Sequence, residues 1–228
     1  MTVPVRSLQF ADAREEADLA AFLGRLLHYD RAAAVRLQAG GSALAVFGRP
    51  PSFEVLAIRT ARLSGTHDFD TTVSAGELLE ALDPDEAAGP GALPQPVTGP
   101  PWTGVLPPRG GWQERPGLPG PESLRTALTG AVAEFRARDA ALPEDRRTRA
   151  ERDLIGRDIW SRTVGDTELP LRAVHAAQSL GFLRPSHGFP VALLAAGTWL
   201  RLRTPFGSIA LRGAGGGLGT LAVTVGTA

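Results

Sequence analysis

His67 stands in Thr66-His67-Asp68-Phe69-Asp70, an imidazole beside two carboxylates that could relay a proton or hold a metal. The same stretch also reads as a polar loop between a strand and a capped helix, where Asp forms turns. No HExxH, no GxSxG and no second acid–histidine cluster accompanies it. His28 lacks such a setting, and His175 on a helix and His187 beside Gly188 read as structural. The chain has no cysteine, which removes thiolate ligands, cysteine nucleophiles and disulfides together. It has no lysine either, so all 24 basic side chains are arginine and a lysine Schiff base or lysine general base is excluded. No residue is assigned a catalytic or metal-ligating role, and no cofactor is expected.

Three further stretches could bind rather than react. Gly213-Ala214-Gly215-Gly216-Gly217-Leu218-Gly219 suggests a phosphate cradle, but its spacing fits neither the dinucleotide fingerprint nor the P-loop. A strand-like run, Leu221–Val225, follows it instead of a helix, so a flexible hairpin or tail is expected. Arg146-Arg147-Thr148-Arg149, continued by Arg152 and Arg157, could contact nucleic acid. Yet nine Arg and eight Asp or Glu interleave from Glu122 to Arg162, the pattern of a solvated, salt-bridged helix face. The third stretch, Pro101 to Trp112, places Trp102, Arg109 and Trp112 in a Pro/Gly-rich setting. Loose linkers are poor in aromatics, and Pro-rich chain is already extended. Trp102, Arg109 and Trp112 are therefore the candidate binding residues, pinned on the protein's own domains or on a partner.

The elements that would position these residues fall on either side of residues 84–121. Eleven of those 38 residues are Pro and eight are Gly, so half of the segment cannot sustain a helix or central strand. Before it, Val5–Phe10 alternates as a strand, and Asp12 with Glu15 caps a helix striped by Leu19, Phe22, Leu23, Leu26 and Leu27. Three short strands are expected next, Val35–Gln38, Ala43–Phe47 and Phe53–Thr60, turned at Gly40-Gly41 and broken at Pro50-Pro51. Ser74 and Glu77 cap a short helix through Leu78, Leu79 and Leu82. After the segment, Pro121 opens a helix with Leu124, Leu128, Val132 and Phe135 on one face. A second helix is expected from Pro143-Glu144-Asp145, burying Leu154, Ile155 and Ile159, and a third from Leu171 to Leu180, ended by Gly181. Val191–Ala195, Trp199–Arg203 and Ser208–Arg212 read as a meander.

These expectations define an α+β fold, with antiparallel sheets and helices packed on one face, in two lobes or one composite domain. The lobes would be residues 1–83 and 122–228, with 84–121 a docked linker. With 24 basic and 24 acidic side chains the formal net charge is zero, which argues against non-specific grip on nucleic acid or an anionic membrane. No apolar run approaches a bilayer span, and MTVPVRSLQF lacks the order of a signal peptide. A soluble cytoplasmic protein is expected. The absence of Lys and Asn, whose codons are AT-rich, points to a GC-rich genome.

Pro107-Pro108-Arg109-Gly110-Gly111-Trp112, Asp158-Ile159-Trp160, the run Ala176–Leu183 and Gly197-Thr198-Trp199-Leu200-Arg201-Leu202 together resemble a family of uncharacterised actinobacterial proteins. That resemblance implies no activity, substrate or site. The order strand, helix, three strands, then Thr72–Leu82 looks like half of a DNA sliding-clamp domain, although the first helix begins with acidic rather than basic residues. The leading expectation is a non-catalytic protein acting by protein–protein interaction or self-association. The alternatives are an enzyme using His67, Asp68 and Asp70, or a nucleic-acid-associated clamp-like or winged module.

Overall fold

The chain is described by a computed structural model over residues 7–83, 92–185 and 188–213. The side chain of Asp12 accepts from the amides of Arg14 and Glu15 and so starts α1 (Ala13–Tyr29) where the capping pair predicts it. Leu19, Phe22, Leu23 and Leu26 form its buried stripe, and Leu27 packs at the margin. Ser74 likewise accepts from the Glu77 amide to open α2 (Ala75–Ala81). Pro121 is the first residue of α3 (Pro121–Ala140), and α5 (Leu171–Ser179) ends before Gly181, whose φ of +77° suits a glycine.

Several boundaries differ from the sequence reading. Residues 7–10 make only isolated bridges, Ser7 to Ala92 and Phe10 to Leu63, rather than a strand. Gly40-Gly41 does not turn the chain. The strand β1 runs unbroken from Ala34 to Gly48, and its register shifts at a bulge between Gly41 and Ala43, with Gly41 at φ +61°. Its partner β2 (Leu56–Ser74) is also longer than expected, so His67, Asp68 and Asp70 lie in a strand rather than a loop. The helix expected at Pro143 is a short 3-10 turn, Glu144–Arg146. The α-helix α4 (Arg149–Trp160) begins after it, with Thr148 capping Glu151. Leu154 is 53% exposed, while Ile155 and Ile159 face inward. Most of the Gly cluster, and Leu221–Val225, lie outside the described residues.

A three-residue strand, β3 (Gln113–Arg115), precedes the meander β4 (Ala192–Ala196), β5 (Trp199–Thr204) and β6 (Gly207–Arg212). The six strands of the described residues join one antiparallel sheet in the order β1-β2-β6-β5-β4-β3. Leu56–Ile58 of β2 pair with Ser208–Ala210 of β6, so the sheet is continuous across the Pro/Gly segment. Alternation then divides the side chains. Val35, Leu37, Leu44, Val46, Leu200, Leu202, Ile209 and Leu211 join a core with residues from all five α-helices. On the other face Phe47, Ile58 and Ala210 are covered by Trp102 and Leu106.

One polar element threads the main core. Arg59 of β2 is only 6% exposed. Its guanidinium donates to Asp18 Oδ2 at 3.1 Å and to the Phe206 carbonyl at 2.6 Å, with Glu15 Oε2 at 3.9 Å. Arg184 donates to the other oxygen of Asp18 at 2.7 Å and stacks 4.1 Å from the Phe206 ring centroid. This network ties α1 and β2 to the β5–β6 turn.

Candidate functional site

The His67 stretch lies within the long β1–β2 hairpin. In β2, His67 shares the face of Phe69, with ring centroids 6.3 Å apart, whereas Asp68 and Asp70 alternate to the other face. Arg36 of β1 grips Asp70 bidentately at 2.7 and 2.8 Å, and Gln38 adds a bond at 2.8 Å. The hydrogen bond from Arg36, above all, holds the Asp70 carboxyl below its ordinary range against the opposing effect of burial. A carboxylate so occupied is a poor base, and the imidazole does not converge on it. Among the described residues no group of three or more His, Asp or Glu side chains could hold a metal.

The Pro/Gly segment is docked where it is described. The Val97 amide donates to the Thr72 carbonyl at 2.9 Å, Arg36 donates to the Thr103 carbonyl, and Pro101–Gly104 forms a 3-10 turn held by Thr103 Oγ1 on Pro100. This turn sets Trp102 against Phe47, Ile58 and Ala210. Trp112 is half-buried at the other end. Its indole donates to the Pro108 carbonyl at 3.0 Å, and the Arg201 guanidinium lies 5.7 Å from its ring. Arg109 between them is exposed and helps to hold Asp70 ionised. The structure therefore separates the three candidate residues: Trp102 packs on the sheet, Trp112 packs on β5, and Arg109 faces solvent.

Trp102 borders a groove of about 260 Å³ shared with Trp199, Val105, Arg49, Arg172 and Arg212. Val97 and Val105, on either side of Trp102 in the chain, are 40% and 45% exposed. Arg212 stacks 5.6 Å from the Trp199 ring centroid. Among the lining residues the charges are three arginines against Glu54.

A larger cleft, about 1070 Å³, opens between α4, α5 and the turn Pro50–Val55, and meets the groove at Glu54 and Arg172. Its wall is a run of rings: Tyr29 on Phe53 at 5.3 Å, Phe53 on His175 at 5.0 Å, and His175 on Trp160 at 4.6 Å. Burial lowers the His175 pKa, which favours the neutral imidazole. Arg149, Arg152, Arg157 and Arg172 line the cleft against Glu54 and Asp153. Glu54 has φ +52°, the one non-glycine residue of positive φ among those described. Sequence reading passed over this cleft because its members lie far apart in the chain. Glycine at 156 and the α4 spacing of Arg149, Asp153 and Arg157 were its only local traces.

Comparison with known families now divides the chain in two. Residues 3–104 match a family model described as a domain of unknown function (DUF8010), and residues 107–216 match a second, also a domain of unknown function (DUF8185). The junction falls inside the docked Pro/Gly segment, leaving Trp102 with the first match and Arg109 and Trp112 with the second. No curated protein matches the chain.

Proposed function

We propose that this is a non-catalytic binding protein that works by docking another polypeptide, one carrying acidic and apolar side chains, at the Trp102–Trp199 groove. The observation that carries the reading is the composition of that groove. Half-buried indoles and exposed Val105 are framed by Arg49, Arg172 and Arg212, with Glu54 as the one acid among the lining residues. Trp and Arg are the side chains on which binding energy concentrates at protein interfaces, and the excess of guanidinium selects an acidic partner. The docked Pro-rich segment supports the same reading, since a surface already extended loses little entropy on association. As part of the proposal, the protein works in the cytoplasm of a GC-rich, actinobacterial-type host, which the absence of Lys and Asn supports. Among the described residues no helix is long and apolar enough to cross a membrane.

A photo-crosslinking residue at Val105, introduced in the source cell, tests it. The expected result is one crosslinked protein species that disappears with Arg49→Glu and Arg212→Glu. A crosslinking pattern identical to that from exposed Glu122, or one indifferent to both charge reversals, would refute the reading. A self-crosslink alone would replace the partner with a second copy.

A further inference from the structure

We infer that the cleft between α4, α5 and the Pro50–Val55 turn is a binding site for a small oxyanion carried on a planar ring, a phosphate or carboxylate on an aromatic or heterocyclic group. The cleft meets the docking groove at Glu54 and Arg172, but the inference rests on the unpartnered guanidinium and the ring wall of the cleft rather than on the groove's indoles. Four guanidinia line the cleft and are not equally employed. Arg152 is engaged by Asp139 at 2.7 Å, and Arg149 shares Asp153 at 3.9 Å. Arg157 donates only to the Asp153 backbone carbonyl of its own helix, at 3.4 Å. Arg172 makes no hydrogen bond or ion pair among the described residues, and its Nε is buried without a partner.

An unmatched buried donor is costly, and the position of Arg172 adds to the cost. It is the second residue of α5, at the helix end whose dipole disfavours a cation. The half-buried Arg172 side chain lines the cleft where it meets the groove. An oxyanion between Arg172 and Arg157 would supply the missing acceptors in the forked geometry that guanidinium prefers. The ring wall fixes what the oxyanion is attached to. Trp160 packs on His175 with ring centroids 4.6 Å apart and Phe53 meets His175 edge-on at 5.0 Å, so together the rings form an apolar wall of the cleft against which a ligand ring can lie. Glu54 and Asp153 are the acids on the rim, fewer than the arginines they oppose, and they would repel a ligand oxyanion from their side. The volume lies at the upper end of small-molecule sites.

The test is titration of the purified full chain with 1-naphthyl phosphate, 1-naphthoate and the neutral 1-naphthalenemethanol, followed by calorimetry and Trp fluorescence. At least one of the two anions should bind saturably at one site and more tightly than the neutral compound by about tenfold or more. Whichever anion binds tighter identifies the oxyanion preferred. Arg172→Gln and Arg157→Gln should each weaken it by about tenfold, while Arg49→Gln, in the groove, should leave it unchanged. Arg157 is exposed on α4, so its variant keeps the test decisive even if Arg172→Gln fails to fold. Absence of saturable binding by either anion, equal binding of the neutral compound, or indifference to Arg157→Gln would overturn the inference.

Discussion

Asp18→Asn should be among the most damaging single-atom-scale changes in this protein. Asp18 accepts from two arginines, Arg59 at 3.1 Å and Arg184 at 2.7 Å, and Arg59 has only 8% of its side chain exposed. Neutralising Asp18 leaves Arg59 buried with Glu15 at 3.9 Å and the Phe206 carbonyl as its remaining acceptors. Removing one partner of a fully buried pair costs about 3–5 kcal/mol. Asp18 is one-fifth exposed and Glu15 partly compensates, so we expect about 2–4 kcal/mol here. For a chain of this size that corresponds to a fall in Tm of about 4–15 °C. Burial raises the Asp18 pKa, but the hydrogen bond from Arg184 and the charges of Arg59 and Arg184 outweigh it and hold the carboxyl below its ordinary value. A depressed carboxyl stabilises the fold above its unfolded pKa, near about 4, and that stability is lost as pH falls through the folded value. Denaturant titrations of wild type and Asp18→Asn from neutral pH downward should therefore converge in acid. Arg149→Gln is the control, because its ion pair with Asp153 is 3.9 Å long and its side chain 95% exposed. A loss for Asp18→Asn no larger than that of the control, or a difference between the curves that persists unchanged into acid, would refute the argument.

His175, whose pKa burial lowers, should oppose acidification in a separate window: stability falls as pH drops below about 6.5, where the unfolded chain binds the proton more readily, and His175→Phe should flatten that limb of a pH–stability curve. Gly207→Ala should cost more than about 2 kcal/mol by thermal or urea unfolding, because φ is +152° and an added Cβ would meet Phe182 at 2.4 Å. Trp112→Ala should cost only about 1–2 kcal/mol by the same measurement, since the indole is half-exposed and its hydrogen bond reaches a neighbouring backbone carbonyl.

Local signals in the sequence located the starts of α1, α2 and α3. Asp12, Ser74 and Pro121 sit where capping chemistry places them, and the final meander follows its turn residues. Glycine misled the strand reading, because Gly40-Gly41 has the composition of a turn but is absorbed as a bulge within a long β1. The same hairpin draws the polar Thr66–Asp70 run into β2, where cross-strand arginine rather than solvent satisfies Asp70. The sequence reading grouped Leu154 with Ile155 and Ile159, but on α4 only the two isoleucines are buried and Leu154 faces solvent. Of the two Trp residues of the Pro/Gly segment, Trp102 packs against Phe47, Ile58 and Ala210, while the Trp112 indole bonds within the segment to Pro108. The ring-lined cleft had no such marker. It is assembled from α1, the β1–β2 turn, α3, α4 and α5, and only the tertiary packing brings Phe53, Trp160, Arg172 and His175 together.

The binding of a polypeptide at the Trp102–Trp199 groove is the claim on which the functional account depends. Once the protein captured through Val105 is in hand, the direct measurement is its Kd for the purified wild-type chain and for Trp102→Ala and Arg212→Glu variants shown to retain the wild-type melting transition. The account predicts saturable binding to the wild type, weakened in each variant by about tenfold or more, with the Arg212→Glu effect shrinking as salt is raised. Equal affinity of all three chains for that partner would contradict it.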